Sequence, residues 1–73
     1  MVEVLCNYRT INGTMSSDFL GLAVTAREIR NIMWADAERN YGKDVTLQKN
    51  GDRWEIYRGD VKINGEWYST RKY

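Results

Sequence analysis

TAREIRNIMWADAERNYG (residues 25–42) reads as one amphipathic helix, and the other assignments follow from where it sits. Thr25 followed three residues later by Glu28 has the form of a capping box. The threonine hydroxyl can accept from the amide of Glu28, and the glutamate can accept from the amide of Thr25. Gly42 stands where a left-handed cap ends a helix, and no proline interrupts the interval. At about 100° per residue, Ala26, Ile29, Met33, Ala37 and Tyr41 share one face, with Ile32 and Trp34 on its flanks. Two residues intrude on the apolar arc. Asp36 falls between Ile29 and Ile32, and reads as a half-exposed border residue paired with Arg39 or a sheet cation. A sharper reading keeps it for contact with a partner. Arg30 reads as a stem lying along apolar surface, within reach of Trp34 one turn on.

Upstream, residues 2–11 alternate as a strand does: Val2, Val4, Cys6 and Tyr8 on one face, Glu3, Asn7 and Arg9 on the other, with Leu5 breaking the pattern. Asn12-Gly13 is the first of three Asn-Gly pairs, a dipeptide whose residues tolerate positive φ and mark hairpin tips. Residues 14–24 form the return strand, less regular, with Phe19, Leu20, Leu22 and Val24 as its apolar content. Ser16-Ser17-Asp18 is the place for a bulge or loop within it. A short helical turn starting at Asp18 is the alternative.

Downstream, residues 43–49 and 52–58 flank Asn50-Gly51. A two-residue turn there sets Lys49 opposite Asp52, Leu47 opposite Trp54 and Val45 opposite Ile56, with Gln48–Arg53 and Thr46–Glu55 on the other face. Gly59-Asp60 turns the chain into Val61-Lys62-Ile63. Asn64-Gly65 is then either a second hairpin turn or a bulge inside one long last strand. Without a bulge Trp67 joins the face of Val61 and Ile63; with a hairpin it stands beside Lys62. The last three residues, Arg71, Lys72 and Tyr73, are expected to fray. The order is β–β–α–β–β with one or two further short strands, a single domain over residues 1–73. This is an α+β fold: a small antiparallel sheet with the helix laid across one face. Ile29, Met33 and Ala37 are expected against Val45, Leu47, Trp54 and Ile56.

The composition removes several chemistries. There is no histidine, so general acid–base catalysis loses its commonest agent and a serine or cysteine triad its base. Cys6 is the one cysteine, which rules out an intrachain disulfide, argues against a structural zinc site and reads as a small buried hydrophobe. Glycines occur at turns, with no phosphate loop or dinucleotide fingerprint. No catalytic residue, cofactor or metal is expected. The N-terminus, MVEVLC, has no apolar run of signal-peptide length and nothing approaches a membrane span, so a cytosolic setting is expected. Net charge is +1, and seven basic against five acidic residues from Gly42 onward make only a weak asymmetry. That is not the basic stripe of a dedicated duplex binder, nor the surface of an acidic nucleic-acid mimic.

The aromatic residues say more. Trp54, Tyr57, Trp67, Tyr68 and Tyr73 are interleaved with Arg53, Arg58, Lys62, Arg71 and Lys72. A sheet this small cannot enclose all those rings, and exposed Tyr, Trp and Arg are the residues that dominate binding energy at protein interfaces. The favoured reading is an interaction protein that occupies the surface of a larger protein or ribonucleoprotein through Tyr57, Lys62, Trp67, Tyr68 and Arg71. The alternative is a small single-stranded nucleic-acid binder. It would stack bases on Tyr57 and set Arg53, Arg58 and Lys62 at the phosphates. Self-association into a homodimer would add burial that the sequence does not require.

In its β–β–α–β–β order, with turns at Asn12-Gly13, Asn50-Gly51 and Asn64-Gly65, the chain resembles small phage-encoded inhibitors of host defence such as anti-CRISPR proteins. The resemblance implies steric blocking of a nuclease or surveillance complex in the host cytosol. The near-neutral charge departs from the members that imitate DNA.

Overall fold

Thr25 is extended (φ −112°, ψ 160°) in the computed structural model, which describes residues 1–73. Its N–H donates to Glu28 Oε1 over 2.9 Å, and the Glu28 N–H donates back to Thr25 Oγ1 over 3.2 Å. The capping box is complete, and α1 runs Ala26–Tyr41. At its far end Gly42 takes φ 96°, a conformation that suits glycine, and its N–H bonds the Glu38 carbonyl.

The strands are β1 (Val2–Arg9), β2 (Met15–Ala23), β3 (Val45–Asn50), β4 (Arg53–Arg58) and β5 (Val61–Lys72). They form one antiparallel sheet in the order β2-β1-β5-β4-β3. The last strand thus enters the middle of the sheet between β1 and β4. The tail does not fray as expected: Lys72 lies opposite Val2, Arg71 opposite Glu3, and the Tyr73 N–H reaches the Met1 carbonyl.

Two local expectations are corrected. The β3–β4 hairpin turns on Gly51-Asp52 rather than Asn50-Gly51, pairing Asn50 with Arg53, Lys49 with Trp54 and Leu47 with Ile56. Gly51, at φ 64°, occupies the first loop position, which a type II′ turn reserves for glycine. Every residue keeps its predicted face, because odd-numbered residues still meet even-numbered ones. The irregularity of β2 falls at Leu20, not at residues 16–18: Val4 pairs with Gly21 but Leu5 with Phe19, and no helical turn forms.

At β5 the structure takes the second of the two expected readings: Asn64-Gly65 lies inside one continuous strand, as a bulge. Tyr57 pairs with Lys62 and Glu55 with Trp67, so β4 advances two residues while β5 advances five. Three surplus residues are an odd number, and an odd surplus reverses facing. Trp67 therefore shares the side of Lys62 although no second hairpin exists.

The helix lies over β1, β2 and β3. Met33 and Ala37 are fully buried against Val4, Cys6, Ala23, Val45, Ile56 and Tyr68. Ile29, Leu47 and Trp54, expected in the core, pack half-buried at its margin. Enclosing Met33 or Ile56 is worth about 1.5–3 kcal/mol each. Half of the sheet's share of this core, Val4, Cys6 and Ala23, comes from the first hairpin, because β5 brings β1 to the centre of the sheet.

Thr25→Ala removes the hydroxyl arm of the capping box. It should cost about 1 kcal/mol and lower the melting temperature by about 4–8 °C, measured by circular dichroism.

Candidate interaction site

With the only helix on one side of the sheet, the residues that alternate away from it form a second, uncovered face. The registers place Met15, Ser17, Phe19 and Leu22 of β2 beside Arg9, Asn7, Leu5 and Glu3 of β1. Beyond them come Arg71, Ser69 and Trp67 of β5, then Glu55 opposite Trp67 and Tyr57 opposite Lys62.

A polar seam holds the middle of this face. Ser17 Oγ donates to Asn7 Oδ1 over 2.6 Å, and Asn7 Nδ2 donates to Ser69 Oγ over 2.8 Å, tying β2, β1 and β5 together. Two ion pairs flank it. Arg71 Nε meets Glu3 Oε1 at 2.8 Å, and Lys62 Nζ meets Glu55 Oε2 at 2.9 Å. Glu55 also accepts from Asn50 Nδ2 at 3.2 Å. The bonds from Lys62 and then Asn50 hold its carboxyl below the ordinary glutamate range. The guanidinium of Arg53 lies over the Trp67 ring, 4.1 Å from its centroid.

Two depressions open on this face. One, of about 410 Å³, runs from Arg9, Arg53 and Trp67 to Lys62 and the β5 bulge. The other, of about 440 Å³, runs from the same three residues to Asn7, Met15 and Ser17. A smaller apolar cleft of about 280 Å³ lies on the opposite side between α1 and the β3–β4 hairpin, where Arg30 and Trp34 line it with Leu47 and Trp54.

Four of the five residues expected at a partner interface, Tyr57, Lys62, Trp67 and Arg71, stand together on the uncovered face. Tyr68 does not. It is 0% exposed on the helix side, where its hydroxyl donates to Asp36 Oδ2 over 2.8 Å, because the bulge that turns Trp67 outward turns its neighbour inward. Of the phosphate-binding alternative, Arg53, Lys62 and Tyr57 share the face and Arg58 does not. Arg58 is clasped to Asp44 at 3.1 Å and to the Tyr41 carbonyl at the end of α1. The sequence reading passed over Arg9, Met15, Phe19 and Leu22 as interface candidates. The alternation of β1 had already put Arg9 on this face, whereas β2 was too irregular to orient Phe19.

Under the helix lies a second polar group. Asp36 is paired with Arg39 as one reading expected, but it lies inside rather than half-exposed at the border. It is buried and accepts from Tyr68, Arg39 and Asn40. Glu66, carried inward by the bulge, accepts from the Tyr41 hydroxyl and from the Cys6 thiol, the latter over 2.9 Å. Cys6 Sγ and carboxylate oxygens of Asp36 and Glu66 lie within 4.8 Å of one another, a set of atoms that could ligate a metal. Each already holds a hydrogen bond, and no buried side-chain polar atom lacks a partner. Burial, and then the bond to Glu66, push the Cys6 thiol well above its ordinary value. Burial, and then the bond to Asp36, do the same to the Tyr68 phenol. Neither offers a nucleophile at neutral pH.

No protein-family model, curated protein or solved structure matches the chain.

Iodoacetamide at pH 8 should leave Cys6 unmodified in the folded protein and alkylate it in urea, read by mass spectrometry. On the other face, Lys62→Met should raise the Glu55 titration midpoint toward the ordinary 4.5, followed by ¹³C carboxyl shifts. The sign follows from the depressed folded value. The Lys62–Glu55 bond adds stability above the ordinary carboxyl range and loses it as pH falls through that folded value.

Proposed function

We propose that this chain is a non-enzymatic interaction domain that binds a larger protein or ribonucleoprotein through the uncovered sheet face and acts by occluding it. The observation that carries the reading is the grouping of Tyr57, Trp67 and Arg53 with Lys62 and Arg71 on a face that no element of the chain covers. Tryptophan, tyrosine and arginine are the anchors whose removal costs most at protein interfaces. The scaffold beneath them is stiff, since the polar seam and the two ion pairs fix the strands that carry them.

The charge arrangement favours a protein surface over a nucleic-acid strand. Lys62 and Arg71 are already matched by Glu55 and Glu3, and a phosphate chain laid across the face would meet those carboxylates. The Trp67 ring is covered on one side by Arg53, which removes that side as a stacking platform for a base. Occlusion of a host nuclease or surveillance complex is the form of this activity that the resemblance to phage-encoded inhibitors implies.

Trp67→Ala and Tyr57→Ala should each keep a cooperative thermal melt while weakening capture of the partner by about 2 kcal/mol, roughly 30-fold. Binding of the purified partner to immobilised wild type and variants measures this, and unchanged affinity in both variants would refute the site. A titration with mixed single-stranded oligonucleotides across salt concentration separates the alternatives. Tight binding that falls steeply with salt would mark a nucleic-acid binder.

A further inference from the structure

Two guanidinium groups on the uncovered face have no acidic partner. The ion pairs of the chain engage Arg39, Arg58, Lys62 and Arg71, and leave Arg9 and Arg53 unpaired. Both line each of the two depressions, together with Trp67. Nearby carboxylates do not answer them. Glu55 influences Arg53 through space, but its oxygens accept from Lys62 and Asn50. Glu66 turns its oxygens to Cys6 and Tyr41 on the helix side. Glu55 and Glu66 also line the 410 Å³ depression, but neither bonds Arg9 or Arg53, and against Arg9, Arg53 and Lys62 they leave its lining net positive.

The stack on Trp67 decides which anion suits it. The Arg53 guanidinium, its carbon 4.1 Å from the Trp67 ring centroid, forms no ion pair in the chain and keeps an N–H edge free. That edge takes a carboxylate through two parallel bonds, and the stack limits the rotamer freedom lost when they form. Arg9 sits across the same depressions, opposite Met15 at the end of β1.

We infer that the groove binds an acidic segment of the protein partner, with one side-chain carboxylate on Arg53 and a second on Arg9. The inference rests on the protein-binding reading above and names the chemistry of the surface that reading requires. A peptide carries charge only where its side chains place it, and can set two carboxylates on the arginines while keeping clear of Glu55. A nucleic acid carries a charge at every nucleotide and has no such choice.

The test uses the intact ¹⁵N-labelled chain, with acetyl-tetraglutamate amide, the tetraglutamine analogue and an octathymidylate strand as ligands. The arginine Nε–H and tryptophan indole resonances are followed. Tetraglutamate should shift Arg9, Arg53 and Trp67 saturably, with a dissociation constant of about 1 mM, and tetraglutamine should not. Arg53→Lys keeps the charge and loses the fork, and should weaken binding roughly tenfold. The inference is overturned if tetraglutamate gives no saturable shift up to about 10 mM, if Arg53→Lys binds it as wild type does, or if octathymidylate binds more tightly. Loss of partner capture by Trp67→Ala without tetraglutamate binding would discard the acidic ligand and leave the protein-binding reading standing. Undiminished capture by both Trp67→Ala and Tyr57→Ala would discard that reading and this inference with it.

Discussion

Three surplus residues in β5 decide the character of both faces of the sheet. Between its pairing with Tyr57 and its pairing with Glu55, β5 inserts an odd number of residues, and the side chains beyond the bulge take the opposite face from those before it. Tyr68 then points under the helix, where its hydroxyl finds Asp36, and Trp67 points away from it, where Arg53 covers one side of the ring. The same bulge carries Glu66 inward to Cys6 and Tyr41. An even surplus would place a tryptophan where the tyrosine sits and leave the Asp36 carboxylate without its buried donor. Asp36 would keep Arg39 and Asn40, but the cost of taking a donor from a buried carboxylate favours the observed arrangement.

The two faces solve different problems with similar residues. Beneath the helix, Asp36 and Glu66 are buried or half-buried carboxylates whose oxygens are taken by Tyr68, Arg39, Asn40, Tyr41 and Cys6. Burial, and then bonds within that network, raise the thiol and phenol out of the range where they could react, and the network joins α1 to β1 and β5. On the uncovered face the carboxylates of Glu3 and Glu55, themselves half-buried and buried, are matched by the more exposed cations Arg71 and Lys62. Each pair joins an exposed cation to a carboxylate shielded by the sheet, and the arrangement of the cations bears on which partner the face can accept. Arg9 and Arg53 are left outside that matching, and they gather at one place, beside Trp67.

A five-stranded sheet with one helix must leave a face open. Natural monomers cover or charge such a face, and here the covering is incomplete: Phe19 and Met15 remain half exposed or more, and Leu22 nearly so. These apolar residues lie along β2, while the aromatic and cationic ones lie along β4 and β5. The open face is therefore apolar at one edge and aromatic and charged toward the other.

How much of this was legible depends on the range of the interaction involved. The capping box at Thr25 and Glu28, the apolar face through Met33 and Ala37, the alternation of Val2, Val4, Cys6 and Tyr8, and the facing of Val45, Leu47, Trp54 and Ile56 are all set by residues within a few positions of one another. The sequence by itself therefore determined the helix, the first four strands, the α+β class and the position of Tyr57 and Arg53 on one side of β4. It could not determine the side on which Tyr68 and Trp67 fall, because one residue more or less in a bulge inverts every side chain beyond it. Nor could it show that Asp36 is buried, that Arg58 is held at the end of the helix, or that the tail is pinned beside β1. Those contacts join residues up to 70 positions apart, as Val2 and Lys72 are. Pairings at that distance are chosen by competition among whole-sheet arrangements, which no local pattern records.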